Sequence, residues 1–276
     1  MFASVSPGDF AIFAVSLIAA GALTGVLAGV FGVGGGAVIV PVLHDLFLFL
    51  GVPDAVSTPL AVGTSLAIII PTSIRSYLAH KARGAVDMTI LRAWAIPTVV
   101  GVVVGAYLAS FASPVVFKLV FVFVAGLSAA RLLGNFSWRL GDDMPKGSLM
   151  KVYGLIIGGL SALMGIGGGQ LSSMFMTFYN RPIHQAVSTS AGMGVIISVP
   201  GAIGLMMAGW DKPGLPPGSI GYVSIIGLLL FAPVSVWTAP LGVKLAHAMP
   251  KRMLERAFGI FLLLVSGRFV LSIAGY

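Results

Sequence analysis

The chain carries the sequence Phe31-Gly32-Val33-Gly34-Gly35-Gly36 and, 133 residues later, the matching sequence Met164-Gly165-Ile166-Gly167-Gly168-Gly169. Each run is followed by Ala-Val-Ser-Thr, at 55–58 in the first copy and at 186–189 in the second. Glycine runs interrupt regular backbone structure, and a lipid-embedded chain tolerates an interruption only where protein or a cavity surrounds it. Both copies lie inside long uncharged stretches, so each predicts a broken membrane helix at a buried site.

The composition around these runs is that of an all-α polytopic membrane protein. Of the 276 residues, 58% are apolar and only 9% are charged, and the mean hydropathy is +1.05. The net charge of +8 comes from Lys and Arg that flank apolar stretches, where they orient spans and meet anionic lipid, so we expect no nucleic-acid partner. Residues 1–9 contain no Lys or Arg, which favours a retained first helix over a cleaved signal peptide.

Apolar runs between charges and Gly/Pro punctuation predict five segments in each half. The predicted segments are 10–30, 37–50, 55–78, 89–110 and 115–134, then 151–165, 169–180, 183–209, 219–246 and 252–274. This division gives a first repeat at 1–134, a cytoplasmic linker at 135–150 and a second repeat at 151–276. Segments 37–50 and 169–180 are too short for a bilayer core of about 30 Å, so they are predicted to be half-helices that either span or re-enter.

The repeat extends beyond the glycine runs, since Ser57 matches Ser188 and Arg131 matches Arg268. An odd number of segments per copy predicts copies of opposite orientation, which is the inverted-repeat plan of many secondary transporters. When loops alternate sides from an outside start, 13 of the 16 Lys and Arg residues fall on the cytoplasmic side. The three that fall outside are Lys118, Lys212 and Arg268. The pattern predicts a plasma (inner) membrane protein with both termini outside.

The glycine runs are the first candidate site. A glycine run before an apolar helix leaves backbone N–H groups free at the helix start, where the helix dipole also favours an anion. The candidate anion-binding glycines are Gly34, Gly35, Gly36, Gly167, Gly168 and Gly169. The alternative is that the glycines only let two helices cross closely.

Hydroxyl and amide side chains beside the runs extend this candidate site. Ser57, Thr58, Ser188 and Thr189 fall in the first turns of the next segments and are candidate neutral donors, although capping and back-bonding to a carbonyl are equally open. Gln170 follows the second run where Ala37 follows the first, which predicts asymmetric binding.

Ionisable residues inside segments are few, and His44-Asp45 is the clearest case. Such groups mark functional sites in membranes, and we predict proton coupling for this pair; solvation at the outer interface is the alternative. Asn180, Arg181 and His184 cluster at the opposite end, where Arg181 is a candidate for attracting an anion or an orientation signal.

Several other chemistries fit the sequence poorly. The glycine runs lack the βαβ context of a dinucleotide site, and no P-loop Lys follows them. There is no cysteine, and the four histidines are scattered in sequence, so we expect neither a transition-metal site nor a cofactor. No Ser shows a base at hydrolase spacing, and we expect no enzyme activity.

The paired glycine and Ala-Val-Ser-Thr phrases, Gly63 and Gly194 further along those helices, and the pattern from Phe258 to Arg268 resemble the TauE/SafE, or sulfite exporter, family. The resemblance covers essentially the whole chain. It implies a secondary carrier for a small sulfur-containing or organic anion such as sulfite, thiosulfate, sulfoacetate or a related sulfonate, in most cases for export. Coupling would come from a proton or ion gradient. Pro59 follows the first Ser-Thr where Ser190 follows the second, so the two half-sites should differ in shape.

The predicted function is therefore alternating-access transport of a small anion across the lipid bilayer, with the two glycine breaks meeting near the midplane. A passive anion channel shares every feature named so far. A membrane-embedded enzyme and a transport-inactive scaffold are the rivals from other classes. The sequence leaves the anion, the direction, the coupling ion and the oligomeric state open.

Overall fold

The computed structural model describes residues 7–31, 35–134 and 139–274. Within these ranges the chain forms ten helices and one two-stranded hairpin. The helices are α1 (Pro7–Phe31), α2 (Gly36–Phe49), α3 (Asp54–Lys81), α4 (Met88–Ala109), α5 (Pro114–Leu133), α6 (Ser148–Met164), α7 (Gly169–Phe178), α8 (Ile183–Ala208), α9 (Ile225–Ala248) and α10 (Lys251–Ile273). Helices α3, α4, α5, α8, α9 and α10 contain stretches long and apolar enough to cross a membrane. The protein is an all-α polytopic membrane protein, as its composition predicts.

The predicted segments match the helices to within a few residues, except at the start of α9. Residues 219–224, predicted as helix, form the hairpin of β1 (Ser219–Ile220) and β2 (Val223–Ser224). Gly218 and Gly221 on either side of β1 both have positive φ, which a helix does not allow. Helix α9 begins only after Ser224, whose hydroxyl accepts the amide of Gly227 as an N-cap.

Helix α3 is the centre of the bundle. Of its most apolar stretch 83% is buried, against 33–50% for the other five long helices. It packs against α8, α9 and α2, while α1 packs on α9, α4 on α6 and α5 on α10. Helix α3 also contacts both glycine runs, with Ile69 beside Gly36 and Gly167 and with Val62 beside Gly165.

Two parallel helix pairs are held together by glycines. Small residues let helix backbones approach closely in membranes, where apolar burial between helices contributes little. Close approaches pair Gly25 with Ser235 and Gly29 with Ala239 between α1 and α9, and Gly101 with Leu155 and Gly105 with Gly159 between α4 and α6. The pairing of α1 with α9 thus corresponds to the pairing of α6 with α4, as expected for duplicated halves.

Equivalent helices of the two halves run antiparallel to each other. Along α3 and α8, Leu66 lies at Gly201 whereas Ser73 lies at Gly194. Along α5 and α10, the Phe121 ring lies 4.7 Å from the Phe269 ring, while the far end of α5 meets Gly259. This packing supports the inverted repeat, which itself stays a prediction.

The two glycine runs each end in a short helix. The residues before α2 and α7 are Gly35, with φ 82°, and Gly168, with φ 71°, and both adopt the left-handed conformation. Helix α2 has 14 residues and α7 has 10, so they extend about 21 and 15 Å, less than a bilayer core. Gly35 lies against Thr24, about 10 Å before the end of α1, so α2 starts alongside α1.

Candidate functional site

The two glycine runs meet in the interior. A Cβ placed on Gly36 would overlap the carbonyl oxygen of Gly165 and lie 2.5 Å from the Cα of Ile166. The same Gly165 carbonyl accepts a hydrogen bond from the Ser65 hydroxyl of α3 at 2.8 Å. Backbone therefore touches backbone where the starts of the two short helices come together, with the central helix holding the contact. Gly34, the first residue of the predicted set, lies outside the described residues.

The second run turns through three left-handed glycines. Gly165, Gly167 and Gly168 have φ values of 67°, 64° and 71°, which L side chains rarely adopt. Gly169 is the first residue of α7. The amide of Ser172 donates to the Gly168 carbonyl at 2.9 Å, and the amides that precede it are the ones a helix start leaves without a carbonyl partner. These amides are available to an anion at the point where the runs meet.

Buried hydroxyls without partners surround the two runs. The hydroxyls of Thr24 beside Gly35, Ser161 beside Gly168 and Ser73 beside Gly194 are fully buried and have no hydrogen-bond partner among the described residues. A buried hydroxyl without a partner costs about 1–3 kcal/mol. Such a cost is retained where the hydroxyl has a ligand to bind, so these three side chains are candidate donors that the sequence did not single out.

Removing one of these hydroxyls is expected to weaken substrate binding without unfolding the protein. Ser161→Ala deletes a buried hydroxyl that has no partner in the described part of the chain, so stability should stay level or rise. If Ser161 donates to the anion, the KM for transport should rise about 10- to 150-fold, the equivalent of one hydrogen bond to a charged group. The matched control is Ser190→Ala, because that buried hydroxyl donates to the Val187 carbonyl of its own helix. Equal KM values for the two variants would contradict the assignment.

The serines of the Ala-Val-Ser-Thr phrases bond back to the backbone. Ser57 donates to the carbonyls of Val52 and Pro53 at 3.0 and 3.1 Å, and Ser188 donates to the carbonyl of His184 at 2.7 Å. These are the local bonds that the alternative interpretation predicts. The two serines therefore shape the helix starts, and any contact with substrate would require breaking those bonds.

The two threonines of these phrases differ from each other. Thr189 accepts the backbone amide of Asp87 at 2.8 Å, which fixes the start of α4. Thr58 is buried, and its hydroxyl has no partner among the residues described. It lines a cavity of about 10 Å³ together with Lys118 and Met164, the residue before the second glycine run. Thr58 is thus the phrase hydroxyl that is free to contact an anion.

Gln170 occupies an equivalent cavity on the other side of the runs. Its amide Nε2 donates to the Ser128 hydroxyl at 3.1 Å, while its buried Oε1 has no partner in the described ranges. The cavity has a volume of about 10 Å³ and is also lined by Arg131 and Thr177. Each cavity holds about one water, so the helices are closed around the glycine runs in this conformation.

His44 and Asp45 belong to a network of five charged or titratable groups. The buried His44 ring lies between two carboxylates, with Nδ1 3.3 Å from Asp45 and Nε2 3.2 Å from Asp54. Asp54 also pairs with Lys118 at 3.3 Å, and Asp45 pairs with Arg268 at 2.8 Å. Two of the three cations that the charge count places outside are therefore neutralised by carboxylates, which explains why they depart from the positive-inside pattern.

The residues predicted as an anion entry are brought together only in part. Arg181 lines a cleft of about 700 Å³ with Lys146 and Lys151, and its guanidinium is 3.6 Å from the exposed Asp143. Asn180 is exposed with a left-handed φ of 59°, and His184 turns away from the cleft to stack on His247. Arg181 thus lies in a surface cleft of mixed charge that also contains Asp87 and Asp143, while His184 belongs to a different cluster.

Three of the four histidines, scattered in sequence, meet in space. His80 lies 3.2 Å from His247, and His184 stacks on His247 with ring centroids 6.0 Å apart. The sequence signal for this contact is weak, since each histidine simply lies at a helix end near basic residues. Within the described residues no group of three or more His, Asp or Glu side chains is arranged to hold a metal ion.

The comparisons with known proteins agree with this architecture. The family described as "Sulfite exporter TauE/SafE" matches residues 17–269. The chain belongs to the TauE/SafE family. Two "Probable membrane transporter proteins" are similar to it over nearly their whole length: that of Haemophilus influenzae is 30% identical over 92% of this chain and 97% of the relative, and that of Methanocaldococcus jannaschii is 29% identical over 93% and 97%. No solved structure shows a significant match.

Membership of the TauE/SafE family makes this chain a membrane transporter by family and homologue description. The glycine phrases on which the resemblance depends meet in the interior of the bundle, whereas the Ala-Val-Ser-Thr phrases lie in the first turns of α3 and α8. Gly63 and Gly194, which also belong to the resemblance, are contact points: Gly63 lies against the Tyr222 carbonyl and Gly194 against Ser73. The family pattern therefore marks places where backbones approach closely.

Proposed function

We propose that this TauE/SafE protein is a secondary transporter that exports a small sulfur-containing or organic anion by alternating access, coupled to a proton or ion gradient. The observation that carries the proposal is the contact between Gly36 and Gly165, which brings the starts of two short helices together beside unpartnered buried hydroxyls. Positive helix ends and neutral hydroxyls compensate an anion for its lost hydration. Because these groups are dipoles and carry no full charge, they bind the anion more weakly than a fixed guanidinium would, and the anion dissociates more easily.

The two cavities beside the glycine runs extend this site towards both sides. Thr58 and Lys118 line the cavity on the side assigned to the exterior, and Gln170 and Arg131 line the cavity on the cytoplasmic side. Each pairs a neutral polar group with a cation. Each can hold an anion briefly when that cation exchanges its present partner, Asp54 for Lys118 and the Met174 carbonyl for Arg131, for the anion. Because each cavity now accepts about one water, an oxyanion enters only when helices separate on that side.

Halves of opposite orientation explain how the helices could separate on one side of the membrane at a time. Repeats of opposite orientation exchange conformations when one set of helices rocks against the other, opening one cavity as the other closes. Antiparallel packing of α3 on α8 and of α5 on α10 supports this arrangement. The buried His44, held between Asp45 and Asp54, supplies a protonatable group at the outer end, where a coupling proton enters.

The transport proposal is tested by measuring anion flux across the membrane of sealed lipid vesicles into which the purified protein has been reconstituted. We expect saturable uptake or efflux of at least one of sulfite, thiosulfate, sulfoacetate and related sulfonates, with accumulation against its gradient when a pH gradient is imposed. Small carboxylates in the same assay define how far the specificity extends to organic anions. A passive channel would only dissipate the anion gradient, and its flux would rise in proportion to the anion concentration. That result would overturn the carrier mechanism.

Alternating access has a separate test, because the chain contains no cysteine and each engineered thiol is the only one present. Single variants Thr58→Cys and Gln170→Cys place a thiol in each cavity. We expect a membrane-impermeant thiol reagent to label Thr58→Cys from the outside and Gln170→Cys from the cytoplasmic side, with substrate shifting the two rates in opposite directions. Labelling of both positions from the same side would contradict the proposed arrangement.

A further inference from the structure

Three imidazoles from three different helices form a cluster at one end of the bundle. His80 comes from the last turn of α3, His184 from the first turn of α8 and His247 from the last turn of α9. His80 Nδ1 is 3.2 Å from His247 Nε2, and the His184 and His247 rings stack nearly parallel. The chain contains no cysteine, so histidine is its one side-chain type that ordinarily gains and loses a proton near neutral pH. Three of the four histidines are therefore gathered at one place.

The cluster joins water to the protein interior. His80 is 1% exposed, whereas His247 is exposed to solvent. Basic residues that the charge pattern assigns to the cytoplasm lie along the chain on both sides, namely Lys81, Arg83, Lys244 and Lys251. A proton that reaches His80 from within the bundle therefore meets cytoplasmic water through His247.

The hydrogen bonds around Ser188 decide where the proton lies. Its hydroxyl donates to the His184 carbonyl at 2.7 Å, because a carbonyl can only accept. The Ser188 oxygen, 3.0 Å from His80 Nδ1, must then accept from that nitrogen. His80 Nδ1 consequently carries a hydrogen, and His247 Nε2, 3.2 Å away, is left as its second acceptor.

We infer that His80 and His247 form a proton relay that releases the coupling proton from the protein interior to cytoplasmic water. A proton arrives on Nε2 of His80, the ring nitrogen that faces neither Ser188 nor His247 and is buried in the bundle. The Nδ1 hydrogen then passes to Nε2 of His247, and His247 loses its own Nδ1 hydrogen to water. Each proton taken up on His80 is balanced by one released from His247. Both rings then carry their hydrogen on Nε2, and each is reset by losing that hydrogen to water and taking one from water at Nδ1, the tautomer of His80 for which Ser188 offers the acceptor.

The charged groups that face the His80 and His247 rings favour release of the proton to water over its retention on the rings. Arg83 donates to the Val243 carbonyl at 2.9 Å, which fixes its positive charge beside the end of α9. His184 packs on His247 from α8. A fixed guanidinium near both rings opposes the state in which His80 and His247 are protonated together. One proton therefore moves through the pair at a time.

The relay is connected to the transport site through one helix. Ser65 of α3 holds the Gly165 carbonyl, and His80 lies 15 residues further along the same helix, about 22 Å away. A change of α3 that frees the glycine contact therefore moves His80 relative to His247 on α9. This inference rests on the proposed function, since a relay has a coupling proton to carry only if transport is coupled.

The test measures anion flux and proton flux in the same vesicles, with a pH-sensitive dye inside. For His80→Gln and for His247→Gln we expect downhill anion flux within about threefold of wild type, and anion-dependent proton movement reduced at least tenfold. Ser188→Ala should reduce proton movement several-fold, since the tautomer of His80 is no longer fixed. The matched control is Lys244→Gln, an exposed cation one turn before His247, which should leave both fluxes unchanged.

A second readout does not depend on transport. In protein labelled with ¹⁵N-histidine, nuclear magnetic resonance should show neutral His80 protonated at Nδ1, and the His247→Gln variant should shift that resonance. Unchanged proton movement in both histidine variants, or a neutral His80 protonated at Nε2 in wild type, overturns the relay while leaving transport intact. Wild-type vesicles without any saturable anion flux overturn the proposed function together with the relay.

Discussion

Gly36→Ala is expected to abolish anion transport, with flux falling at least about tenfold, although it adds a single methyl group. That methyl would overlap the Gly165 carbonyl oxygen and come within 2.5 Å of Ile166 Cα. Both obstacles are backbone atoms, which cannot rotate away as a side chain can. The two glycine runs would be pushed apart, and the starts of α2 and α7 would no longer face a shared site. Vesicle flux, measured together with thermal stability in detergent, checks this result.

Gly126→Ala is the matched control for this experiment. Gly126 lies inside α5, and a Cβ at that position meets nothing within 4 Å in the described structure. The same methyl group in a membrane helix should therefore leave flux at wild-type level, and replacing Gly by Ala should stabilise the helix slightly. Normal transport by a folded Gly36→Ala protein would remove the contact between the runs from the mechanism.

Gly242→Val is expected to have the largest effect on folding. Gly242 of α9 lies against α1, where a Cβ would overlap the Val26 carbonyl oxygen and come 2.9 Å from the amide nitrogen of Val30. Helix packing in a membrane depends on such close approach, and forcing the backbones apart should destabilise the fold by about 3 kcal/mol or more. We expect little folded protein in a fluorescence-detected size-exclusion profile and a clearly lowered melting temperature.

Gly267→Val is the matched control, because it tests whether the loss of stability comes from the contact at Gly242 or from placing a valine in any membrane helix. Gly267 lies within α10, and a Cβ there has no neighbour within 4 Å among the described atoms. Valine has a higher helix propensity than glycine, so the free energy of unfolding should stay unchanged or rise slightly. A monodisperse, stable Gly242→Val protein would show that α1 and α9 do not depend on this contact.

The order and lengths of the helices could be predicted from sequence because the lipid bilayer permits few backbone conformations. Each span must satisfy its own backbone, so apolar length and punctuation by Gly, Pro and charge locate the helices directly. The prediction failed at 219–224 because a two-residue strand pair is shorter than any periodicity that hydropathy can register, and only Gly218 and Gly221 mark it.

The chemical groups of the site were harder to predict than its position. The glycine runs were recognisable, and so was the pair His44-Asp45. The partners Asp54, Lys118 and Arg268 were not, because they come from helices distant in sequence. The same holds for the cluster of His80, His184 and His247, whose contact depends on how three helix ends converge.

The role of single hydroxyls also escaped prediction. A serine in a membrane helix either bonds back to its own backbone or faces a partner, and the sequence does not distinguish the two. Ser57 and Ser188 do the first, while Thr58 and Ser161 keep unpartnered hydroxyls within the described residues. Packing of neighbouring helices, rather than local sequence, decides between these states.

The matching arginines of the two halves hold each other's short helix. Arg131, from the first half, donates to the Met174 carbonyl and to Thr177 of α7, whereas Arg268, from the second half, pairs with Asp45 of α2. The halves are therefore interlocked, because each supplies an arginine that holds the short helix of the other. The ion pair between Asp45 and Arg268 can therefore form only after α10 has been synthesised and inserted, so the first half gains one of the contacts of α2 at the end of synthesis.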